Sequence, residues 1–320
     1  MSFVHDDADF PDLLRIVADK RGFSPGLVEK DYWVTHTLWA IHQTGFDVWF
    51  KGGTSLSKGF SLIERFSEDL DLKIEAGRVP DIPSVRSWKS EGTKAIRERK
   101  AFFEILPKAL RVPGGKPSLD PHSPDRSWRS ADVHVEYPGH YLEDLGALFK
   151  PFVRLEIGSA RVTPFVLCDL TSLVHDELVE QGQMGEFEDT RARAVRCVHP
   201  LVTLLEKLDA LHRRVPKTSI EPAVFVRHFE DAAKLIAAES TLPNLADYAD
   251  VLALANDMMR EGQIAMLPNA SDAAFNVGHD PRWESIREAY SAIAPMFWGP
   301  RVPLDEACAS IRDWIRRTFR

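Results

Sequence analysis

Residues 50–74 read FKGGTSLSKGFSLIERFSEDLDLKI, and this stretch decides the fold that we expect. A short β-prone run at 48–50 enters a Gly-Gly turn, and a small segment rich in serine follows. A second β-prone run then covers residues 70–74. The pattern predicts a strand, a turn, a short helix and a second strand, in that order.

Asp69 and Asp71 lie on the second predicted strand. Alternate side chains of a strand project to the same face, so these two carboxylates lie side by side. Neighbouring carboxylates repel each other unless a cation lies between them. Their hard oxygen ligands suit Mg²⁺ or Mn²⁺, with substrate phosphates completing the coordination shell. We therefore expect Asp69 and Asp71 to be metal ligands and catalytic residues.

The Gly52-Gly53 turn supplies the second part of this predicted site. Glycines let the backbone approach a phosphate closely, and the backbone N–H groups of Thr54 and Ser55 are free donors at the start of a helix. Lys51 precedes the turn, within reach of a phosphate. A phosphate cradle beside a metal-binding carboxylate pair is what phosphoryl or nucleotidyl transfer requires. We expect these five residues to bind a nucleotide.

A Walker A loop is the main alternative for residues 53–58, but it does not fit. That motif requires glycine before its lysine and serine or threonine after it. Here Ser57 precedes Lys58 and Gly59 follows it. We exclude the motif and expect Lys58 to lie at the surface.

The whole chain has 320 residues, of which 44% are hydrophobic and 28% charged, so it is globular rather than disordered. The net charge of −8 excludes a generally basic surface for gripping nucleic acid. The local patterns predict an α/β domain over 1–195 and a helical domain over 196–320. The predicted helices cover 10–20, 25–43 with Ser24 as its N-cap, 82–111, 200–214, 221–238, 243–262, 281–296 and 303–319. Further strands are predicted over 133–137, 152–157 and 164–170, and a loop over 112–130.

Cysteine usage and the terminus indicate where the protein acts. Its three cysteines, Cys168, Cys197 and Cys308, are odd in number and lack CxxC spacing. A disulfide scaffold or a cysteine-rich zinc site is therefore not expected. The N-terminus shows no secretory signal, and no stretch approaches the ~20 apolar residues that span a bilayer. We expect a cytoplasmic protein without a membrane partner.

The motif KGGTSLSK at 51–58, followed by RFSEDLDL at 65–72, resembles the signature of the AbiEii/MenT nucleotidyltransferase toxins. This family is a branch of the DNA polymerase β-like nucleotidyltransferase superfamily. Fifteen residues separate Gly53 from Asp69, a spacing similar to that of this branch. The resemblance extends over about residues 25–240 and includes EKDYW at 29–33, VRLEI at 153–157, EKL at 206–208 and RHFED at 227–231. It implies a polymerase β-like α/β (α+β) domain with a mixed sheet, followed by a C-terminal helical bundle.

Two further site residues follow from the resemblance. Ser67 stands where the family has its active-site serine, sharing the strand face with Asp69 and holding a phosphate oxygen or orienting that aspartate. A strand-start hydroxyl bonded to the backbone is the alternative. Glu156 matches the third carboxylate, as a metal ligand or as a general base. The superfamily usually has aspartate there, and a salt bridge between Glu156 and Arg154 is the alternative.

The helical half adds three residues to the implied site. Lys207 matches the downstream lysine that reaches the triphosphate; a solvated helix face is the alternative. Asp231 resembles the aspartate that completes the site, and Arg227 lies one helical turn before it as a nucleotide-binding residue. The two are also spaced as a simple helix-surface pair.

The resemblance implies a metal-dependent nucleotidyltransferase, the toxin of a type IV AbiE-like toxin–antitoxin system in phage defence. It would transfer NMP from an NTP to an RNA acceptor, the 3′ end of tRNA, and release pyrophosphate. An antitoxin resembling the AbiEi winged-helix regulators would be its partner. A non-catalytic NTP-binding regulator and a small-molecule nucleotidyltransferase of the antibiotic-modifying kind are the alternatives. Basic residues available to an RNA backbone include Lys94, Arg97, Arg99, Lys100 and Lys108.

Overall fold

The computed structural model describes residues 1–67, 69–146 and 149–320. The chain divides into two compact units that interleave along the sequence. The first unit comprises Met1–Gly59, Glu68–Val162 and Leu167–Cys197, and the second comprises Phe60–Ser67, Thr163–Val166 and Val198–Arg320. The predicted boundary between residues 195 and 196 stays a prediction. Among the helices in the described ranges, none has both the length and the apolar character that crossing a bilayer requires.

A mixed sheet is the central element of the first unit. Within the described residues it has seven strands, in the order β3-β4-β5-β2-β1-β7-β6. β1 and β2 are antiparallel, β2 and β5 are parallel, and β4 is antiparallel to both β3 and β5. This arrangement confirms the predicted α/β fold class with a mixed sheet. The strands are β1 Asp47–Lys51, β2 Asp69–Glu75, β3 Lys116–Leu119, β4 Ser130–Glu136, β5 Phe152–Gly158, β6 Phe165–Leu170 and β7 Ala192–Val198.

One face of the sheet is apolar and is covered by helix α2, Pro25–Gln43. Leu70 and Leu72 of β2 are buried on this face, as their alternation with the aspartates predicts. α2 begins where predicted, because the Ser24 hydroxyl accepts a 3.3 Å hydrogen bond from the Leu27 N–H and Pro25 follows the cap. The helix packs against β1, β2 and β5 and is buried on most of its surface.

The other helices divide between the two units. In the first unit, α3 is followed directly by a π-helical turn, Ser55–Gly59. In the second unit, α7 packs between α6 and α10 through their apolar faces. The remaining helices are α1 Phe10–Arg21, α3 Gly52–Thr54, α4 Thr93–Ala109, α5 Leu173–Glu180, α6 Pro200–Arg214, α7 Arg227–Ala237, α8 Val251–Arg260, α9 Pro281–Ala292 and α10 Leu304–Thr318.

The predicted helix over 82–111 is wrong in its first eleven residues. The helix begins only at Thr93, directly after Gly92 in an extended conformation. Arg99 of this helix is fully buried, and its guanidinium donates hydrogen bonds to the backbone oxygens of Ser87 and Ser127, at 2.7 and 2.8 Å. Arg99 therefore fixes the irregular chain before the helix and does not belong to a basic surface patch.

The predicted loop over 112–130 contains a strand, β3. Pro117 lies within this strand and pairs with Val135 of β4. β3 is an edge strand and has a neighbouring strand on one side only. A proline, which has no N–H donor, can lie there without removing a hydrogen bond between two strands. The proline that predicted a loop is thus compatible with pairing on one side only.

Two predicted helices of the second unit begin later than expected. The region 221–238 starts as a 3₁₀ turn, Pro222–Val224, before α7 begins. The region 243–262 becomes helical only at α8, where the Asp250 carboxylate accepts a 2.8 Å hydrogen bond from the Ala253 N–H. α5 and β7 were not predicted, because short polar-interrupted runs give little periodic signal.

Replacing Leu70 by alanine tests the buried face of β2. Leu70 is 0% exposed, so Leu70→Ala should lower the free energy of unfolding by about 2–5 kcal/mol, measured by urea denaturation. Leu167 of β6 is 59% exposed, and Leu167→Ala should change it by less than about 0.5 kcal/mol. Equal losses from both variants would contradict the assigned face.

Candidate active site

The predicted carboxylates lie on the face of the sheet opposite α2. Asp71 pairs in register with Lys51 of β1 on one side and with Glu156 of β5 on the other. Glu156 pairs in turn with Asp132 of β4. Residues that are paired across neighbouring strands project to the same face, about 4.8 Å apart from strand to strand. The structure therefore brings Asp71 and Glu156 together, as the resemblance implies.

Arg154 lies among three of these carboxylates. Its Nε is 2.8 Å from Asp132 Oδ2, its Nη2 is 3.2 Å from Glu156 Oε2, and its Nη1 is 3.6 Å from Asp69 Oδ2. Burial alone would lower the pKa of Arg154, but the three carboxylates raise it above its ordinary value. The arginine thus stays charged and offsets the repulsion between its neighbours. The salt bridge that was the alternative for Glu156 exists, and its role as third ligand stays a prediction.

The carboxylate cluster remains open to a small cation. The side chain of Asp69 is 24% exposed and that of Glu156 is 49% exposed. All the donor atoms that Asp69, Asp71 and Glu156 offer are carboxylate oxygens, the ligands that Mg²⁺ and Mn²⁺ prefer. The donor set therefore fits the divalent ion that the resemblance implies.

The Gly-Gly turn lies directly against one of these carboxylates. Gly52 has a φ of +77°, a conformation that favours glycine. A β-carbon at this position would lie 1.7 Å from Asp71 Oδ2, so only glycine leaves room for the carboxylate. The turn predicted to bind phosphate and the aspartate predicted to bind metal are therefore neighbours.

The hydroxyl groups after the turn hold it in place. Thr54 Oγ1 donates a 2.6 Å hydrogen bond to the backbone oxygen of Asp69, and Ser55 Oγ donates a 3.0 Å bond to the backbone oxygen of Gly52. Both side chains are fully buried, as Gly53 is. Their hydroxyls therefore position the turn against β2, while a nucleotide would meet the backbone. The expected free N–H of Ser55 is wrong, because this group donates to the Gly52 backbone oxygen and closes the turn. Whether these residues and Lys51 bind a nucleotide stays a prediction.

The expected surface position of Lys58 is wrong. Its side chain is mostly buried, and its Nζ lies 2.5 Å from Asp31 Oδ1 and 2.9 Å from the backbone oxygen of Thr171. Asp31 also accepts a 2.8 Å hydrogen bond from the Leu173 N–H. The lysine thus fastens the π-helical turn that follows the glycines to α2 and to the start of α5.

The motif at 29–33 has a structural role in the first unit. The buried Glu29 carboxylate accepts hydrogen bonds from the backbone N–H groups of His140 and Tyr141, at 2.9 and 3.0 Å. Lys30 Nζ donates to the backbone oxygen of Lys150 at 2.7 Å, and also to that of Phe152, the first residue of β5. These bonds anchor the chain that leads into β5, and thereby position Arg154 and Glu156.

Ser67 lies outside the strand that carries the aspartates. β2 begins at Asp69, and Ser67 precedes the strand, within the segment that belongs to the second unit. The expected strand position of Ser67 is therefore wrong. Its function as the active-site serine stays a prediction.

The second unit contains a buried ionic cluster of Arg65, Lys207 and Asp231. Arg65 donates two hydrogen bonds to Asp231, from Nε to Oδ1 and from Nη2 to Oδ2, at 2.8 Å each. Lys207 Nζ lies 2.8 Å from Asp231 Oδ2. The side chain of Lys207 is only 7% exposed and that of Asp231 only 1%. A solvated lysine and a surface pair of Arg227 with Asp231 are therefore both wrong. Arg65 was not predicted, since it lies in a short segment without a periodic pattern.

The charges of this cluster are strongly coupled. Burial alone would raise the pKa of Asp231, but Arg65 and Lys207 lower it well below its ordinary value, so the carboxylate stays ionised. Burial lowers the pKa of Lys207, and Asp231 opposes that shift. His228 is 3.5 Å from Lys207, and burial with the nearby cations lowers its pKa, so its imidazole is neutral. The cluster therefore places two cations around one buried, ionised carboxylate.

A second group of potential metal ligands lies on the sheet. Within the described residues, ligand atoms of Asp120, Asp132 and His134 all lie within 4.8 Å of one another. The group shares the polar face with Glu156, because Asp132 pairs with it. Imidazole nitrogen suits transition metals such as Zn²⁺, whereas Mg²⁺ prefers oxygen. The structure thus contains a group able to hold an ion, while the identity of the ion and its binding at Asp69 and Asp71 stay predictions.

Replacing Gly52 by alanine should displace Asp71. The added β-carbon meets the carboxylate and also occupies a strained φ, so we expect a loss of stability and of nucleotide binding, measured by thermal unfolding and calorimetry. Gly182 has a similar φ of +71° with no atom within 4 Å of an added β-carbon. Gly182→Ala should lower the free energy of unfolding only by the backbone strain, about 1–2 kcal/mol, and should leave nucleotide binding unchanged. Full binding by Gly52→Ala would contradict the proximity of turn and carboxylate.

Replacing Asp231 by asparagine should destabilise the second unit. Two buried cations would lose their carboxylate, at a cost of about 3–5 kcal/mol in the free energy of unfolding. Asp313→Asn, at an exposed pair with Arg316, is the control and should change little.

The same carboxylate predicts a dependence of stability on pH. Because the pKa of Asp231 is lowered on folding, its contribution is complete above about pH 4 and is lost as the pH falls through the folded-state pKa. The difference between wild type and Asp231→Asn should therefore be larger at pH 7 than at pH 3. A difference independent of pH over this range would contradict an ionised Asp231.

The chain matches one protein-family model over residues 40–308, well over half of its length. The family is described as the nucleotidyl transferase AbiEii toxin of a type IV toxin–antitoxin system. The comparison with curated proteins gave no match. The seven-strand mixed sheet with its helices is consistent with a nucleotidyltransferase-like fold. The resemblance seen in the sequence is confirmed, and the chain belongs to the AbiEii nucleotidyl transferase toxin family.

Proposed function

We propose that the protein is a metal-dependent nucleotidyltransferase that transfers NMP from an NTP to an acceptor hydroxyl and releases pyrophosphate. One observation carries the proposal. The carboxylate of Asp71 lies against Gly52, where a β-carbon would be 1.7 Å away, and it is in register with Glu156. A turn suited to phosphate is thus next to carboxylates suited to a divalent ion.

The proposed ion is Mg²⁺ or Mn²⁺, held by Asp69 and Asp71 with Glu156 as a third ligand. Such an ion would offset negative charge on the NTP phosphates during transfer of the nucleotidyl group. Arg154 then has a positioning role, because its contacts to Asp69 and Glu156 keep these carboxylates on one side of the site. As the alternative to holding the ion, Glu156 would accept the proton of the acceptor hydroxyl.

The turn itself is proposed to hold the NTP. The backbone of Gly52 and Gly53 approaches the phosphates, and the N–H group of Thr54 donates to them. The Ser55 N–H already donates to the Gly52 backbone oxygen, so Ser55 contributes by fixing the turn around the nucleotide. Lys51 ends β1 directly before the turn and adds positive charge. The internal bonds of the Thr54 and Ser55 hydroxyls fix this backbone before a nucleotide arrives.

The resemblance implies further roles in this reaction for Lys207, Arg227 and Ser67, and we propose them here. Lys207 would interact with the phosphates, Arg227 with the nucleotide, and Ser67 with a phosphate oxygen. Asp231 has both oxygens engaged, so we assign it to positioning Lys207 rather than to chemistry. Arg65 holds Asp231 in turn and lies two residues before Ser67, so it is a further positioning residue.

For the acceptor we propose RNA, specifically the 3′ end of tRNA. Lys94, Arg97 and Lys100 of α4 are exposed and offer contacts to a phosphate backbone. The toxin would act in the cytoplasm in phage defence, with an antitoxin of the AbiEi winged-helix type. A small-molecule acceptor would use the same carboxylates and turn.

The direct test is nucleotide transfer by the purified protein. Incubation with Mg²⁺, each of the four labelled NTPs and total tRNA should label tRNA with at least one nucleotide. Asp69→Asn and Asp71→Asn should each lower the rate on the order of a thousandfold, since a bound ion contributes several kcal/mol. Asp313→Asn, at the exposed pair, should retain the wild-type rate.

The outcomes separate the proposal from its alternatives. Label on an aminoglycoside but not on tRNA would replace the RNA acceptor by a small molecule. Nucleotide binding without transfer to either acceptor would favour a non-catalytic NTP-binding regulator. Transfer that is unchanged in Asp69→Asn and Asp71→Asn would refute the assigned site.

A further inference from the structure

Cys168 and Cys197 are 29 positions apart in sequence and adjacent in space. They lie on β6 and β7, which are neighbours in the sheet. Their side chains hydrogen-bond to each other. A β-carbon placed on Gly59 would be 3.1 Å from Cys197 Sγ and 3.8 Å from Cys168 Sγ, so both sulfurs face one point. Both are free thiols.

The two thiols differ in accessibility and acidity. Cys168 is partly exposed, whereas Cys197 is buried. The hydrogen bond from Cys197 lowers the pKa of the Cys168 thiol, while the same bond and burial raise the pKa of Cys197. A reachable thiol of lowered pKa beside a buried partner is the usual pairing of an oxidisable cysteine with a resolving one.

Both sulfurs lie near the same point beside Gly59, so a disulfide between them requires rotation of both side chains toward each other.

We propose that Cys168 and Cys197 form a peroxide-responsive pair that closes into an intramolecular disulfide. The Cys168 thiolate attacks one oxygen of hydrogen peroxide, the O–O bond breaks, and hydroxide leaves, so the sulfur becomes a sulfenic acid. The Cys197 sulfur then attacks the sulfenic sulfur, the S–O bond breaks, and water leaves with the thiol proton. The two cysteines lose two electrons in total, and the peroxide takes them up.

The pair lies behind the segment that begins with the Gly-Gly turn. Gly59 is the last residue of the π-helical turn that continues from α3. Moving the sulfurs together changes the packing under Gly59, and Lys58 beside it is held by Asp31. Oxidation should therefore weaken nucleotide binding, a consequence that rests on the proposed function.

The test is oxidation of the full chain by stoichiometric hydrogen peroxide, followed by intact-mass measurement and thiol counting under denaturing conditions. Wild type should lose two thiols and about 2 Da, which corresponds to two hydrogens, and dithiothreitol should reverse both changes. Cys308→Ser removes the third, buried cysteine and should behave as wild type does. Cys197→Ser should form no intramolecular disulfide, and its sulfenic acid should be trapped at residue 168 by dimedone.

Three outcomes would overturn the pair. These are no loss of mass in the wild type, a disulfide that includes Cys308, or dimedone labelling of Cys197→Ser at a residue other than 168. Nucleotide affinity supplies a separate readout, with a decrease of at least about fivefold expected on oxidation. An unchanged affinity would refute the coupling but not the disulfide. Absence of binding in both redox states would refute the proposed function instead.

Discussion

The repulsion between carboxylates on one face of the sheet is the constraint on which the rest of the site depends. Asp69, Asp132 and Glu156 are held together by the guanidinium of Arg154, which contacts all three. An arginine between carboxylates gives charge balance without filling their exposed sides, so a divalent ion can still approach. Gly52 adds a steric constraint to the electrostatic one, because any side chain there would push the Asp71 carboxylate away. The charge of Arg154 and the small size of Gly52 therefore allow mutually repelling carboxylates to lie on adjacent strands.

The second unit also brings like charges together, but there the like charges are cations. Here two cations are buried around a single carboxylate, and both oxygens of Asp231 are paired with Arg65 or Lys207. Buried ion pairs add little net stability, but breaking one is costly, so such clusters fix geometry more than they raise stability. This is why we regard Asp231 and Arg65 as residues that position Lys207.

The sequence predicted those parts of the fold and site that have a local signal. Helix α2 begins at its serine cap, and Asp69 and Asp71 alternate with buried leucines as period-two patterning requires. Contacts between distant segments have no such signal. The sequence around Arg65 does not indicate that its guanidinium binds a carboxylate 166 positions away. The sequence around Lys58 likewise predicts a surface lysine, because its partner Asp31 lies on a distant helix. Pro117 was misleading for a different reason, because an edge strand tolerates a residue that a central strand does not.

The central claim is that a nucleotide and a divalent ion meet at Asp69 and Asp71. Mn²⁺ binding, followed by electron paramagnetic resonance with and without a non-hydrolysable NTP analogue, tests it most directly. We predict that the analogue increases Mn²⁺ affinity in the wild type and that the double variant Asp69→Asn, Asp71→Asn abolishes this increase. The competing ligand group of Asp120 and His134 provides the contrast. An increase that survives in the double variant but disappears on Asp120→Asn with His134→Ala would contradict the account.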